Sequence, residues 1–167
     1  MDDLVAGAGT EVELTVGLSP ARAWDLISDV TRIGEWSPEC VRAAWTERAG
    51  GTPRAGDRFT ARNEYADGFA ATVECVVTEA ERPYVFAWVV LDDTGAVDRP
   101  GSVWRYELRA AGEDTRVRHT FTHGPGLTGL RESAADNPDK DVLTGRLAQL
   151  RRNMTMTLRA MTGGTER

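Results

Sequence analysis

The chain has 167 residues, 41% of them apolar and 28% charged, which suits one packed domain and is too apolar and too balanced for a disordered chain. A formal net charge of −6 leaves no basic excess to neutralise phosphates. That excludes a nucleic-acid backbone or an anionic membrane surface as the main partner, and the small clusters Arg116 with Arg118 and Arg151 with Arg152 read as solvated faces.

The N-terminal stretch lacks a charged region followed by an apolar one, so no signal peptide is read, and residues 1–9 are expected to be loose. Thr10 to Leu18 alternates, with Val12, Leu14 and Val16 on one side and Glu11, Glu13 and Thr15 on the other, which predicts a half-buried strand. Ser19-Pro20 then opens a helix, serine as its cap and proline at its first position, with Ala23, Trp24, Leu26, Ile27 and Val30 as its apolar side. Asp29 to Trp36 reads as a second short helix, stopped by Pro38.

Strands follow. Val41, Ala43 and Trp45 share one side of the second, and Gly50-Gly51-Thr52-Pro53 with Gly56 turns the chain. Phe59, Ala61, Asn63 and Tyr65 share a face of the third, and Asp67-Gly68 marks a tight hairpin. Ala71, Val73, Cys75 and Val77 belong to the fourth. Tyr84, Phe86, Trp88 and Val90 belong to the fifth, after a turn at Arg82-Pro83. A Gly-, Asp- and Pro-rich loop over 92–101 leads to Trp104, Tyr106 and Leu108, and a turn over 112–114 leads to Val117, His119, Phe121 and His123. In each strand one parity is apolar or aromatic and the other charged or hydroxylated, so one face of the sheet is expected to meet water.

The stretch from His123 to Asn137 is irregular, with Leu127 and Leu130 able to close over a cavity mouth there, and the sequence leaves open whether 124–137 acts as a gate. The last helix opens with Asn137 as cap, Pro138 first, then Asp139 and Asp141 against the positive end of the dipole. Its stripe of Leu143, Leu147, Leu150, Met154, Leu158 and Met161 is one face of a helix that must lie on something apolar, with Met156 off its centre. The helix ends at Gly163-Gly164. A long helix held against a curved sheet leaves room for a cavity between the two layers.

The order β-α-α-β-β-β-β-β-β-α, the opening Ser19-Pro20-Ala21-Arg22-Ala23-Trp24 and the segment Ile33-Gly34-Glu35-Trp36-Ser37-Pro38-Glu39 resemble the START-like, or SRPBCC, superfamily of helix-grip proteins, in particular its bacterial polyketide cyclase/dehydrase branch. Trp104-Arg105-Tyr106-Glu107-Leu108, Thr115-Arg116-Val117 and the Arg-rich helix from Gly145-Arg146-Leu147 to Leu158 add to the likeness, which covers residues 10–162. The resemblance implies an α+β helix-grip domain over 10–162: a curved seven-stranded antiparallel sheet wrapped around a long C-terminal helix, with two short helices after the first strand and a loose tail over 163–167. It also implies one of several functions known in the superfamily: lipid and hormone binding, aromatase and cyclase activity, hydroxylase domains, chaperone activation and self-resistance to antibiotics. Fold alone does not choose among them.

Inward parity nominates the site. His119 is a polar handle or general acid/base on an apolar wall, or else a core histidine satisfied by a neighbour. Asn63 carries an amide that donates and accepts, and Tyr106 a phenol that can bond a ligand oxygen. Trp36, Trp88 and Trp104, with Phe59, Phe86 and Phe121, would suit a flat aromatic molecule, and Leu150 and Met154 would face it from the last helix. Glu35, Asp92 and Asp93 are loop carboxylates available to an enzyme, and Glu39 flanks the Trp36 turn. His119 and His123 lie roughly 13 Å apart along a strand at about 3.3 Å per residue, too far for one metal ion. Cys40 and Cys75 form no CxxC pair and read as reduced, buried thiols. No phosphate loop, nucleophile elbow, zinc helix or haem motif is present, so no metal and no cofactor are expected.

Two uses of the cavity stay open. One is binding of a small, largely apolar molecule, aromatic polyketide or lipid-like, for sequestration or self-resistance. The other is a cyclase, aromatase or dehydratase with His119 or Tyr106 moving protons. A protein-interaction module is the third reading. The expected partner is a small hydrophobic molecule, with no nucleic acid and no membrane insertion, on a cytoplasmic monomer or homodimer.

Overall fold

The computed structural model describes residues 5–65, 67–126 and 140–163. In chain order these form β1 (Gly9–Val16), α1 (Pro20–Ser28), a 3-10 helix (Val30–Glu35), β2 (Cys40–Glu47), β3 (Arg58–Glu64), β4 (Ala70–Glu81), β5 (Val85–Val90), β6 (Ser102–Ala111), β7 (Asp114–His123) and α2 (Lys140–Met161). The expected closure by Leu127 and Leu130, the cap at Asn137 with Pro138 and Asp139, the side chain of Asp141 and the end at Gly164 lie outside the described residues.

The strands make one antiparallel sheet in the order β1-β7-β6-β5-β4-β3-β2. Six follow one another as a meander, and β1 closes on β7, so the fold is the α+β helix-grip arrangement. Register fixes which side chains can meet: His119 lies opposite Val12 on one side and Tyr106 on the other, and Trp88 lies opposite Trp104.

Ser19 caps α1 as its sequence suggests, its hydroxyl accepting from the Arg22 amide at 3.3 Å, with Pro20 at the first helical position. The helix buries Trp24, whose indole Nε1 donates to the Val85 carbonyl at 2.8 Å and whose ring meets Phe86 edge-on. The segment after it is a 3-10 turn rather than an α-helix, held close to β2. A methyl on Gly34 would sit 2.2 Å from the Val41 carbonyl oxygen, so only glycine permits that approach. Leu150, Met154, Leu158 and Met161 of α2 join the inward residues of the sheet in a single core, and Leu158 is wholly buried.

Among the described residues three register shifts alter the simple alternation, one of them between Trp45 and Glu47 at the end of β2. Register shifts between Cys40 and Arg42, which makes Val41 the extra residue of a bulge. Val41 is therefore turned outward and 40% exposed, not on one side with Ala43, and Cys40 takes the inward place. A bulge between Val77 and Glu79 turns Glu79 outward, where it pairs with Arg105, and brings Ala80 onto the core.

The outer face is also less polar than expected, because Val76, Val89 and Leu91 bury one another there with Val103 beside them. At the N-terminal end, Gly7 donates to the His123 carbonyl and His123 to that of Ala8.

Candidate functional site

Between the concave face of the sheet and α2 lies a cavity of about 140 Å3, open to solvent. A dry cavity of roughly this size is known to hold benzene, whereas drug-sized ligands occupy roughly 300–1,000 Å3. The enclosed space thus matches one aromatic ring, and a longer molecule has to extend through the opening.

One wall is an aromatic ladder. Trp88 and Trp104, paired across β5 and β6, lie parallel with centroids 6.0 Å apart. Phe59 meets Trp88 edge-on at 6.2 Å, and Trp104 lies 5.6 Å from the His119 ring. Tyr106 and His119, paired across β6 and β7, stack face to face at 3.6 Å and 9°. Alternation puts these rings on one face, and antiparallel register aligns them.

His119 is 3% exposed, and neither ring nitrogen has a hydrogen-bond partner among the described residues. Burial without a neighbouring anion lowers its pKa from 6.5 to about 3, so the ring is neutral, with one N–H and one lone pair to offer. Burial likewise pushes the Tyr106 phenol well above its usual value. Among the described residues no hydrogen-bonding neighbour satisfies the imidazole, as the alternative core reading would require.

Asn63, Trp36, Leu150 and Met154 line the cavity with these rings, from β3, the turn after the 3-10 helix and α2. Phe86 and Phe121 do not, although both point inward. Phe86 is packed between Trp24 and Trp88 under α1, and Phe121 sits edge-on between Trp104 and His123. The inward face is longer than the cavity, so its ends are core.

Several wall residues escaped the sequence reading. Cys40 and Cys75 both face the cavity, with burial pushing the Cys40 thiol up to about 11 and the Cys75 thiol higher still. Asn153 and Thr157 come from α2, and the Thr157 hydroxyl is spent on the Asn153 carbonyl at 2.7 Å.

Glu39 also lines the wall and grips Arg146 of α2 with both oxygens, at 2.6 and 2.9 Å. Gln149 supports the guanidinium at 2.8 Å, and the Tyr65 ring lies 5.5 Å beneath it. No periodicity announces a pair so distant in sequence. The other carboxylates nominated for acid–base work are elsewhere: Glu35 is bound to Arg32, Asp92 accepts from Thr94, and neither they nor Asp93 line the cavity.

Among the described residues no helix is long and apolar enough to cross a membrane, and no group of acidic, histidine and cysteine side chains gathers as a metal site.

The model of the polyketide cyclase / dehydrase and lipid transport family matches residues 8–155. The solution structure of the Polyketide_cyc-like protein Cgl2372 from Corynebacterium glutamicum is 27% identical, covering 92% of this chain and 88% of that one at a TM-score of 0.60. TTHA0849 from Thermus thermophilus is 16% identical over 94% of this chain and 96% of that one, at a TM-score of 0.66. The di-domain ARO/CYC protein StfQ of the steffimycin biosynthetic pathway is 20% identical over 93% of this chain but 49% of its own, at a TM-score of 0.65. This chain therefore spans about half of that two-domain protein, and at such identities the last two likenesses show the fold alone. No curated protein matches the chain.

Proposed function

The chain belongs to the polyketide cyclase/dehydrase and lipid transport family, and from that premise we propose that it binds a small, largely apolar molecule, aromatic polyketide-like or lipid-like, in the cavity between sheet and α2. The observation that carries this reading is the aromatic wall of Trp88, Trp104 and Tyr106 around a buried, neutral His119 with no hydrogen-bond partner among the described residues. A buried polar group without a partner costs about 1–3 kcal/mol, a cost that a ligand hydroxyl or carbonyl meeting the imidazole would offset. Apolar burial supplies the affinity, and Asn63, Tyr106 and His119 set the orientation. Sequestration of a metabolite, self-resistance to an antibiotic included, is the use such binding serves.

One observation favours cyclase, aromatase or dehydratase chemistry as a second reading. The imidazole stacked on the phenol at 3.6 Å places two proton-carrying groups side by side on the wall, although burial that keeps the imidazole neutral also weakens it as a base. No carboxylate is paired with the imidazole among its hydrogen bonds, and this ranks the reading second.

Mass spectrometry separates the two after incubation with aromatic polyketides and neutral long-chain lipids. A complex that releases unchanged ligand is the expected result. Loss of water from the ligand, abolished by His119→Gln, would establish the enzyme. No complex and no product would sink both.

A further inference from the structure

Resting on the ligand-binding reading above, we infer that the cavity selects by charge: it takes an uncharged aromatic molecule and rejects the carboxylate of the same skeleton. The described lining contains no lysine or arginine. Its ionisable groups are Asp29 at the end of α1, Glu39 and Cys40 at the start of β2, Cys75 on β4, Tyr106 on β6 and His119 on β7; α2 contributes only Leu150, Asn153, Met154, Thr157 and Met161. None of them offers a positive charge.

Among the described residues, two guanidinium groups that touch lining residues are engaged. Arg146 is held through both oxygens of Glu39, and Arg32, lying 4.8 Å over the Trp36 ring, is held by Glu35 at 2.8 and 3.1 Å. Asp29, whose carboxylate accepts from the Thr31 hydroxyl at 2.6 Å, adds a negative charge that repels an anion. A carboxylate entering this space loses its hydration and finds no cation among the described lining residues, the costliest form of burial. A hydroxyl, amide or ketone loses far less and can be met by Asn63 or the imidazole.

The test compares 4-methylbenzamide with 4-methylbenzoate, which share size and shape and differ in charge, by calorimetric titration of the whole chain near neutral pH. The expected result is binding of the amide with the benzoate at least a hundredfold weaker. The variant Glu39→Gln, which releases Arg146 from its carboxylate, is expected to narrow that ratio at least tenfold.

Benzoate binding within threefold of the amide by the parent chain would overturn charge selection and leave the ligand-binding reading standing. Binding of neither compound would overturn both. Should Glu39→Gln not fold, the parent's amide-to-benzoate ratio decides by itself.

Discussion

Acid should weaken this protein earlier than its carboxylates dictate, and His119 should be the reason. In the folded chain the imidazole resists protonation until about pH 3, whereas its free value is 6.5. The unfolded chain therefore binds a proton that the folded chain refuses throughout that interval. Stability rises with pH where the unfolded state holds more protons, so it is complete above about pH 6.5 and drains away as pH falls toward 3.

Between about pH 7.5 and about pH 5.5 one such group removes about 1.4 kcal/mol. Glu13, Asp25 and Glu35, held below their ordinary values mainly by hydrogen bonds from Arg116, Arg82 and Arg32, also lose their contribution on acidification. They do so only near and below pH 4, outside this window.

The perturbation is His119→Phe, which keeps a ring to stack on Tyr106 and cannot protonate. Urea unfolding at the two pH values, compared between parent and variant, isolates the histidine from everything else that titrates. The parent should lose about 1.4 kcal/mol more than the variant. The phenylalanine should also be at least as stable as the parent near neutral pH, since two buried polar atoms without partners disappear. Equal losses in parent and variant would refute the burial argument.

Three further outcomes follow from the same structure. Gly34→Ala should cost about 2 kcal/mol or more in urea unfolding, because its methyl would meet the Val41 carbonyl oxygen at 2.2 Å; a cost below about 0.5 kcal/mol would mean that the turn shifts freely. Leu158→Ala empties a wholly buried position beneath the sheet and should cost about 2–5 kcal/mol by the same measurement, so a near-neutral change would contradict the packing of α2. With a thiol pKa of about 11, Cys40 should react with a disulfide reagent near pH 8 on the order of a hundredfold more slowly than a free cysteine, and Cys75 more slowly again. Rapid labelling of either would show a wall that opens.

Periodicity made most of the fold legible. Val12, Leu14 and Val16 alternate because β1 is half-buried, and Asp67-Gly68 turns the chain with Gly68 at φ 87°. Hydrogen-bond register was not legible, and it decides where parity breaks. The bulge at Val41 exchanges that side chain for Cys40 on the inner face, and the bulge after Val77 spares the core from Glu79.

Parity likewise shows that Phe86, Trp88, Trp104 and Phe121 point inward but not how far along each strand the cavity reaches. Trp88 and Trp104 are therefore wall while Phe86 and Phe121 are core. His119 was legible as the polar residue of an apolar parity. Its stacking on Tyr106 was not, because that depends on pairing between two strands. Glu39 and Arg146 were least legible: they meet only because α2 crosses the sheet beside the start of β2.

The central claim, that this cavity is a binding site, is tested most directly by fluorine NMR of the chain labelled with 5-fluorotryptophan and titrated with 4-methylphenol. The five indoles report separate places, and Trp24 is sealed against Phe86 while Trp88 and Trp104 face the cavity. The account expects the Trp88 and Trp104 resonances to shift together and saturably, with Trp24 unmoved. Resonances that all stay fixed, or a Trp24 shift without Trp88 and Trp104, would contradict it.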